Sequence, residues 1–182
     1  MHQEPEDYAI RWKPFLDVSV FLDSRPMIPR VETEYWVEKA IAEIPKNKKV
    51  KCLDLFAGSG AIGLAVLKRI PDSSVDFGEI NIAHFPTIRK SLRKNDISEN
   101  RARFIETDVW SNIQDAYDFV LATPPYLSKS RLERIEPSVL AHEPHRALFA
   151  EEDGFAFIRK TIEGARKYLV PGGTLWIEHE PE

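Results

Sequence analysis

The sequence predicts an α/β protein, a doubly wound and mostly parallel sheet with helices on both faces, preceded by an N-terminal β-hairpin. Three observations carry this. Short apolar runs at 50–55, 75–79, 103–107, 119–122 and 174–178 alternate with segments of helical periodicity. Strands separated by helical segments return to one sheet through right-handed crossovers and so run parallel. Gly58, Gly60 and Gly63 fall just after the first apolar run, where a strand turns into a helix.

Each element has a local reason. Residues 12–28 intersperse Phe15, Leu16, Val18, Val20, Phe21, Leu22 and Ile28 with polar residues around a Ser24-Arg25-Pro26 break, the pattern of a hairpin. Pro29 stops it. Thr33 is expected to cap a helix beginning near Glu34, with Trp36, Val37, Ala40 and Ile41 facing inward and Pro45 ending it. Strand 50–55, helix 61–70, strand 75–79 and helix 83–95 follow, with Pro86 tolerated in the last helix's first turn. Residues 130–140 and 154–169 read as helices on either side of a Glu143-Pro144 loop, and Pro171-Gly172-Gly173 as a turn into the last strand. The expected units are an arm and hairpin over 1–30 and one domain over 31–182. Trp176 and Ile177 are expected near an exposed sheet edge, covered by a partner unless the chain is a piece of a longer protein.

Bulk properties narrow the field. A chain of 182 residues suffices for one domain with a core, and 43% hydrophobic with 30% charged residues sets it apart from disordered chains. A net charge of −4 argues against bulk polyanion binding, so the clusters Lys46/Lys48/Lys49, Arg89/Lys90/Arg93/Lys94 and Arg131/Arg134 read as solvated faces. Cys52 is the only cysteine and lies in an apolar run, so a buried, inert thiol is expected, with no intrachain disulfide and no zinc-type Cys/His cluster. No metal is expected. Residues 1–7 are polar, with no signal-peptide core, and no apolar run reaches membrane-spanning length, so a cytoplasmic setting is expected.

The chemistry concentrates in two stretches. Asp54-Leu55-Phe56-Ala57-Gly58-Ser59-Gly60 is a strand, a glycine turn and a helix start, a geometry that brings backbone N–H groups close to a ligand. Glu79 ends the next strand, where an acid can accept both hydroxyls of a ribose, with an exposed strand-end glutamate as the structural alternative. Asp54 would sit beneath the turn, repelling a pyrophosphate and attracting an amino-acid ammonium. Asp108 and Trp110 follow the third strand and suit an adenine, with the structural alternatives of a helix cap and a core indole. The second stretch, Thr123-Pro124-Pro125-Tyr126, closes the run 119–122. Its prolines remove two donors and fix two φ angles, leaving carbonyls free to accept, while Tyr126 can cover a flat group.

These residues resemble the class I S-adenosylmethionine-dependent methyltransferases that modify planar nitrogen, with their Rossmann-like fold. Ile28-Pro29-Arg30-Val31-Glu32-Thr33-Glu34 is similar to the Ile-Pro-Arg-Pro-Glu-Thr-Glu segment of the release-factor glutamine methyltransferases. Glu143-Pro144-His145-Arg146-Ala147-Leu148, Asp153-Gly154, Pro171-Gly172-Gly173 and Ile177-Glu178-His179 continue the likeness in order. The resemblance implies S-adenosylmethionine as cofactor, held by Asp54, Gly58, Gly60, Glu79, Asp108 and Trp110. It implies catalytic roles for Thr123, Pro124 and Tyr126, and an acceptor entrance lined by Arg30, Glu32, Thr33 and Pro125. The implied partner is a peptide chain release factor, methylated on a glutamine amide in translation termination. The sequence departs from that pattern at Val31 (proline in the family) and Thr123 (asparagine in the family). The family's helical N-terminal domain and the two-strand hairpin after the position of His179 are also expected to be absent. A threonine hydroxyl accepts one hydrogen bond but offers no amide donor, a loss worth on the order of 1–3 kcal/mol. Two alternatives stay open: an RNA or DNA amino-nitrogen methyltransferase, and a weakened cofactor-binding partner subunit.

Overall fold

The computed structural model describes residues 3–179; residues 1–2 and 180–182, the outer ends of the two expected units, lie outside the described residues. A short helix α1 (Glu6–Ile10) leads into strands β1 (Trp12–Phe15) and β2 (Val18–Phe21), an antiparallel hairpin. Phe15, Val18, Val20 and Leu22 are buried and pack with α2 (Val31–Glu43), α3 (Ala61–Arg69) and α4 (Phe85–Lys94) in one core. Helix α2 begins before the expected cap. Arg30 occupies the cap position with no side-chain bond, and Thr33, buried in the first turn, gives its hydroxyl to Glu178 at 2.7 Å.

The sheet holds β3 (Val50–Leu55), β4 (Ser73–Glu79), β5 (Ala102–Glu106), β6 (Tyr117–Ala122) and β7 (Leu169–Ile177), ordered β5-β4-β3-β6-β7 with every neighbour parallel. Alternation along β3 explains its two-sided burial. Cys52 joins the core under the hairpin, α2, α3 and α4, while Leu53 and Leu55 pack on the opposite face with Val120, Tyr117 and Phe157 of α7 (Ala156–Tyr168). Burial pushes the Cys52 thiol up to about 12, in keeping with an inert core residue. The chain leaves β3 toward β4 and β5, then returns to β6 on β3's other side. That reversal opens a crevice at the C-terminal ends of β3 and β6, the place where ligands bind in open α/β sheets.

Two segments differ from expectation. Residues 130–140 do not form one helix: a 3₁₀ stretch (Lys129–Arg134) precedes α5 (Pro137–His142), because Pro137 fits a first turn but breaks an interior. A four-residue α6 (His145–Leu148) follows. Pro171-Gly172-Gly173 lies inside β7 as a bulge. Tyr117 pairs with Leu169 and Phe119 with Thr174, so the intervening residues of β7 loop out, with Gly172 at φ 80°.

Helix α3 rests directly on β4. A Cβ at Gly63 would lie 2.4 Å from Phe77 Cε1 and 2.9 Å from Val75 Cγ1, and the Phe77 ring is held by stacking on Phe104 at 5.4 Å. Gly63→Ala is therefore expected to destabilise the fold, because overpacking costs about 1–3 kcal/mol and outweighs the roughly 1 kcal/mol gained in helix propensity. Thermal denaturation should show the lowered midpoint, and Phe77→Leu in the same chain should restore part of it.

Candidate active site

The turn after β3 is built from left-handed residues. Phe56 has φ 65°, Gly58 50° and Gly60 76°. Gly60 also lacks room for a side chain, since a Cβ would meet Ile88 at 2.9 Å. The turn is tied to the next strand by Glu79, which is 8% exposed. Its Oε2 accepts the Gly58 N–H at 2.8 Å and its Oε1 the Asn81 N–H at 2.8 Å. Each oxygen keeps a second lone pair for a hydroxyl donor. His84 stands beside this acid, bonded to Ser24 Oγ at 2.9 Å, and burial lowers its pKa while Glu79 opposes the shift.

Asp54 is 1% exposed beneath the turn. Its Oδ2 accepts the Gly63 N–H at 2.8 Å, which fixes the start of α3, but its Oδ1 is buried without a partner among the described residues. Burial pushes the carboxyl up to about 8; the Gly63 N–H pulls down and the charge of Glu79 pushes further up. An uncompensated buried carboxyl of this kind favours a cation close by.

A cavity of about 210 Å³ lies over these residues. Gly58, Glu79, Asp108, Thr33, Thr123 and Pro125 all line it. The sequence expectation thus brings six of its residues to one cleft. Asp54 and Gly60 belong to the turn without lining the cavity, and Pro124 is buried outside the lining. Tyr126 stands outside the lining and gives its hydroxyl to Glu178 Oε1 at 3.0 Å. The loop is held from behind. Leu127 exchanges backbone bonds with Leu148 and Ala150 at 2.9 and 3.0 Å, and Gly154 (φ 101°) comes so close that a Cβ would lie 2.2 Å from the Tyr126 carbonyl. Thr123 Oγ1, like Asp54 Oδ1, is buried with no hydrogen-bond partner among the described residues.

Three expected site residues are elsewhere. Trp110 Nε1 donates to the Lys160 carbonyl at 3.0 Å, and the indole stacks on Tyr168 at 4.9 Å. Gly164 leaves it room, since a Cβ there would lie 2.1 Å from Nε1. The indole therefore pins α7, and Val109 and Phe157 supply the apolar surface beside Asp108 instead. Arg30 pairs at 2.6 Å with Glu143, which is 4% exposed and also accepts the Ile28 N–H at 3.1 Å. It anchors the start of α2, while Glu32 is exposed. Sequence reasoning missed Asn81, His84 and Phe157 in the lining. Asn81, two residues beyond Glu79, was within reach of local reasoning; Phe157 sits in an ordinary helical pattern that carries no signal.

The family model for the methyltransferase small domain matches residues 39–148, spanning both turns. The chain belongs to the methyltransferase small domain family. Curated relatives of this methyltransferase domain include the release factor glutamine methyltransferases of Lactococcus lactis subsp. lactis, 33% identical over 98% of the chain, and of Streptococcus pneumoniae, 36% identical over 96%. The chain spans 65% and 61% of the length of those two proteins. A methyltransferase structure from Pyrococcus furiosus shares the fold with a TM-score of 0.63 at 16% identity, covering 94% of this chain and 74% of that one. The glycopeptide N-methyltransferase MtfA, solved with S-adenosyl-L-methionine, aligns with a TM-score of 0.50 at 16% identity over 80% of this chain and 53% of its own. Among the described residues no helix is long and apolar enough to cross a membrane, and no group of three or more His, Cys, Asp or Glu is placed to hold a metal.

Asp54 makes stability depend on pH. Its carboxyl binds a proton more tightly folded (pKa about 8) than at its ordinary 3.8, so its contribution is fully present below about pH 4 and is lost as pH rises through about 8. Asp54→Asn cannot ionise. The variant's melting temperature relative to wild type should therefore rise between pH 4 and pH 8; a constant difference would mean that Asp54 is ionised throughout.

Proposed function

We propose that this chain carries an S-adenosylmethionine-dependent N-methyltransferase site, and that its acceptor is a glutamine side-chain amide of a peptide chain release factor in the cytoplasm. The observation that carries the reading is the single cleft shared by the glycine turn with Glu79 and by Thr123 with Pro125. The names of the curated relatives support the acceptor.

The donor set suits the cofactor. The free lone pairs of Glu79 would accept the ribose hydroxyls, Asp108 would accept from the exocyclic amine of the adenine, and Val109 and Phe157 offer apolar surface for the ring. The partnerless oxygen of Asp54 favours the ammonium end from beneath the turn, and an adjacent cation stabilises its ionised form. The cofactor supplies a methyl group activated by a positively charged sulfur. An amide nitrogen is a weak nucleophile because its lone pair is delocalised into the carbonyl. The chain's task is to accept the amide N–H groups through the Pro124 carbonyl and the Thr123 hydroxyl and to aim the nitrogen, with Tyr126 packing on the amide plane. The buried Thr123 Oγ1 has no other partner among the described residues, so such a contact also satisfies it. On this reading the unit 31–182 carries the chemistry, and the arm and hairpin over 1–30 brace it.

Calorimetry should show saturable binding of S-adenosylmethionine to the purified chain and its loss in Glu79→Ala; absence of binding in wild type overturns the proposal. Because Thr123 lacks the amide of asparagine, Thr123→Asn should raise methyl transfer to the Gly-Gly-Gln loop of a release factor by about ten- to a hundred-fold. Transfer to RNA but not to release factor would reassign the acceptor.

A further inference from the structure

Glu178 directly follows β7, where its own N–H donates to the Ala122 carbonyl at 2.9 Å. Its half-buried carboxylate collects three side-chain donors from two distant parts of the chain. Oε2 accepts the Thr33 hydroxyl and the Trp36 Nε1–H, both at 2.7 Å, and Oε1 accepts the Tyr126 hydroxyl at 3.0 Å. No Lys or Arg pairs with Glu178 within the salt bridges of the described residues. Trp36 in turn stacks on Trp176, two residues before Glu178, at 6.3 Å and 14°.

We infer that Glu178 is a positioning residue that locks the Thr123–Tyr126 loop to the first turn of α2 and so sets the width of the cleft between them. The geometry leaves little else for it to do. Thr33 and Thr123 line the same cavity, and this carboxylate ties their two segments together through the Thr33 and Tyr126 hydroxyls. Both prolines hold the loop's φ angles, but neither sets its distance from α2. The backbone bonds of Leu127 hold the loop toward Leu148 and Ala150, on the other side. A carboxylate suits the junction because it only accepts, and all three partners bring a hydrogen; the bonds are charge-assisted and correspondingly strong. Glutamine can keep the junction, with its carbonyl on Thr33 and Trp36 and its amide donating to Tyr126, whose hydroxyl also accepts. Alanine cannot.

The role rests on the methyl-transfer reading, but the lock can be measured without it. In the full chain, Glu178→Ala should speed backbone hydrogen exchange at residues 125–127 and in the first turn of α2, leave β3 and β4 protected as in wild type, and quench or shift Trp36 emission. Glu178→Gln should exchange like wild type. Unchanged exchange at 125–127 in Glu178→Ala overturns the inference whatever the activity. With release factor as acceptor, Glu178→Ala should lower kcat about tenfold or more while S-adenosylmethionine affinity stays within about twofold. Glu178→Gln should recover most of kcat, and Tyr126→Phe should cost little further in the Glu178→Ala chain. An equal loss in kcat and cofactor affinity, or no recovery with glutamine, would mean general loosening or a direct charge role and would overturn it. Failure of the methyl-transfer reading itself is recognised separately, as a wild type that neither binds S-adenosylmethionine nor methylates.

Discussion

The carboxylate of Glu79 ties two backbone turns together, and the cleft takes its shape from that tie. One oxygen holds the glycine turn after β3 and the other the backbone after β4, each at 2.8 Å. Without it, the turn with its left-handed Phe56, Gly58 and Gly60 would lose the acceptor that holds the Gly58 N–H. The parallel sheet aligns the two strand ends, and the reversal of strand order puts β6 with its proline loop on the other flank. Local backbone chemistry and sheet topology therefore converge on one place.

Unsatisfied polar atoms concentrate at that place. The described side chains leave three buried oxygen or nitrogen atoms without a partner: Asp54 Oδ1, Thr123 Oγ1 and Trp176 Nε1. The first two lie at the ends of the neighbouring strands β3 and β6, and the third belongs to the residue stacked on Trp36, a neighbour of the Glu178 junction. Elsewhere comparable groups are matched. Asp76, at 4% exposure, is satisfied by Arg103, Lys51 and the Tyr117 hydroxyl, and Asn95 bonds both the hairpin and its own helix. Burying polar groups unpaired costs free energy, so their confinement to one edge of the sheet separates a binding surface from a finished core.

How much the sequence revealed depended on the range of the interactions. The strand, turn and helix around Asp54–Gly60 are specified by contiguous residues, and the alternation along β3 is local, so both were legible. Glu79 was legible because strand length fixes where its side chain emerges. Trp110 was not, since its orientation is decided by Gly164 and Tyr168, more than fifty residues away in sequence, which make a slot that nothing near Trp110 encodes. Arg30 likewise reads as a ligand contact until Glu143, 113 positions later, is seen to claim it. Thr33 looked like a helix cap because threonine usually is one there; the helix begins two residues earlier, so Thr33 lies inside its first turn and gives its hydroxyl to a carboxylate 145 positions away. The Pro171-Gly172-Gly173 segment has the composition of a turn, yet sheet pairing on both sides of it makes it a bulge.

That bulge also partitions the outer margin of the sheet. Among the described residues β7 pairs on one flank only, which leaves its other flank with unclaimed backbone donors and acceptors. Pro171 contributes no donor, and the looped-out glycines disrupt the regular spacing that an added ribbon would need. Only the straight stretch from Thr174 to Ile177 keeps a continuous template. Any lateral growth of the sheet is thereby directed to the end that carries Glu178, and the far end terminates itself.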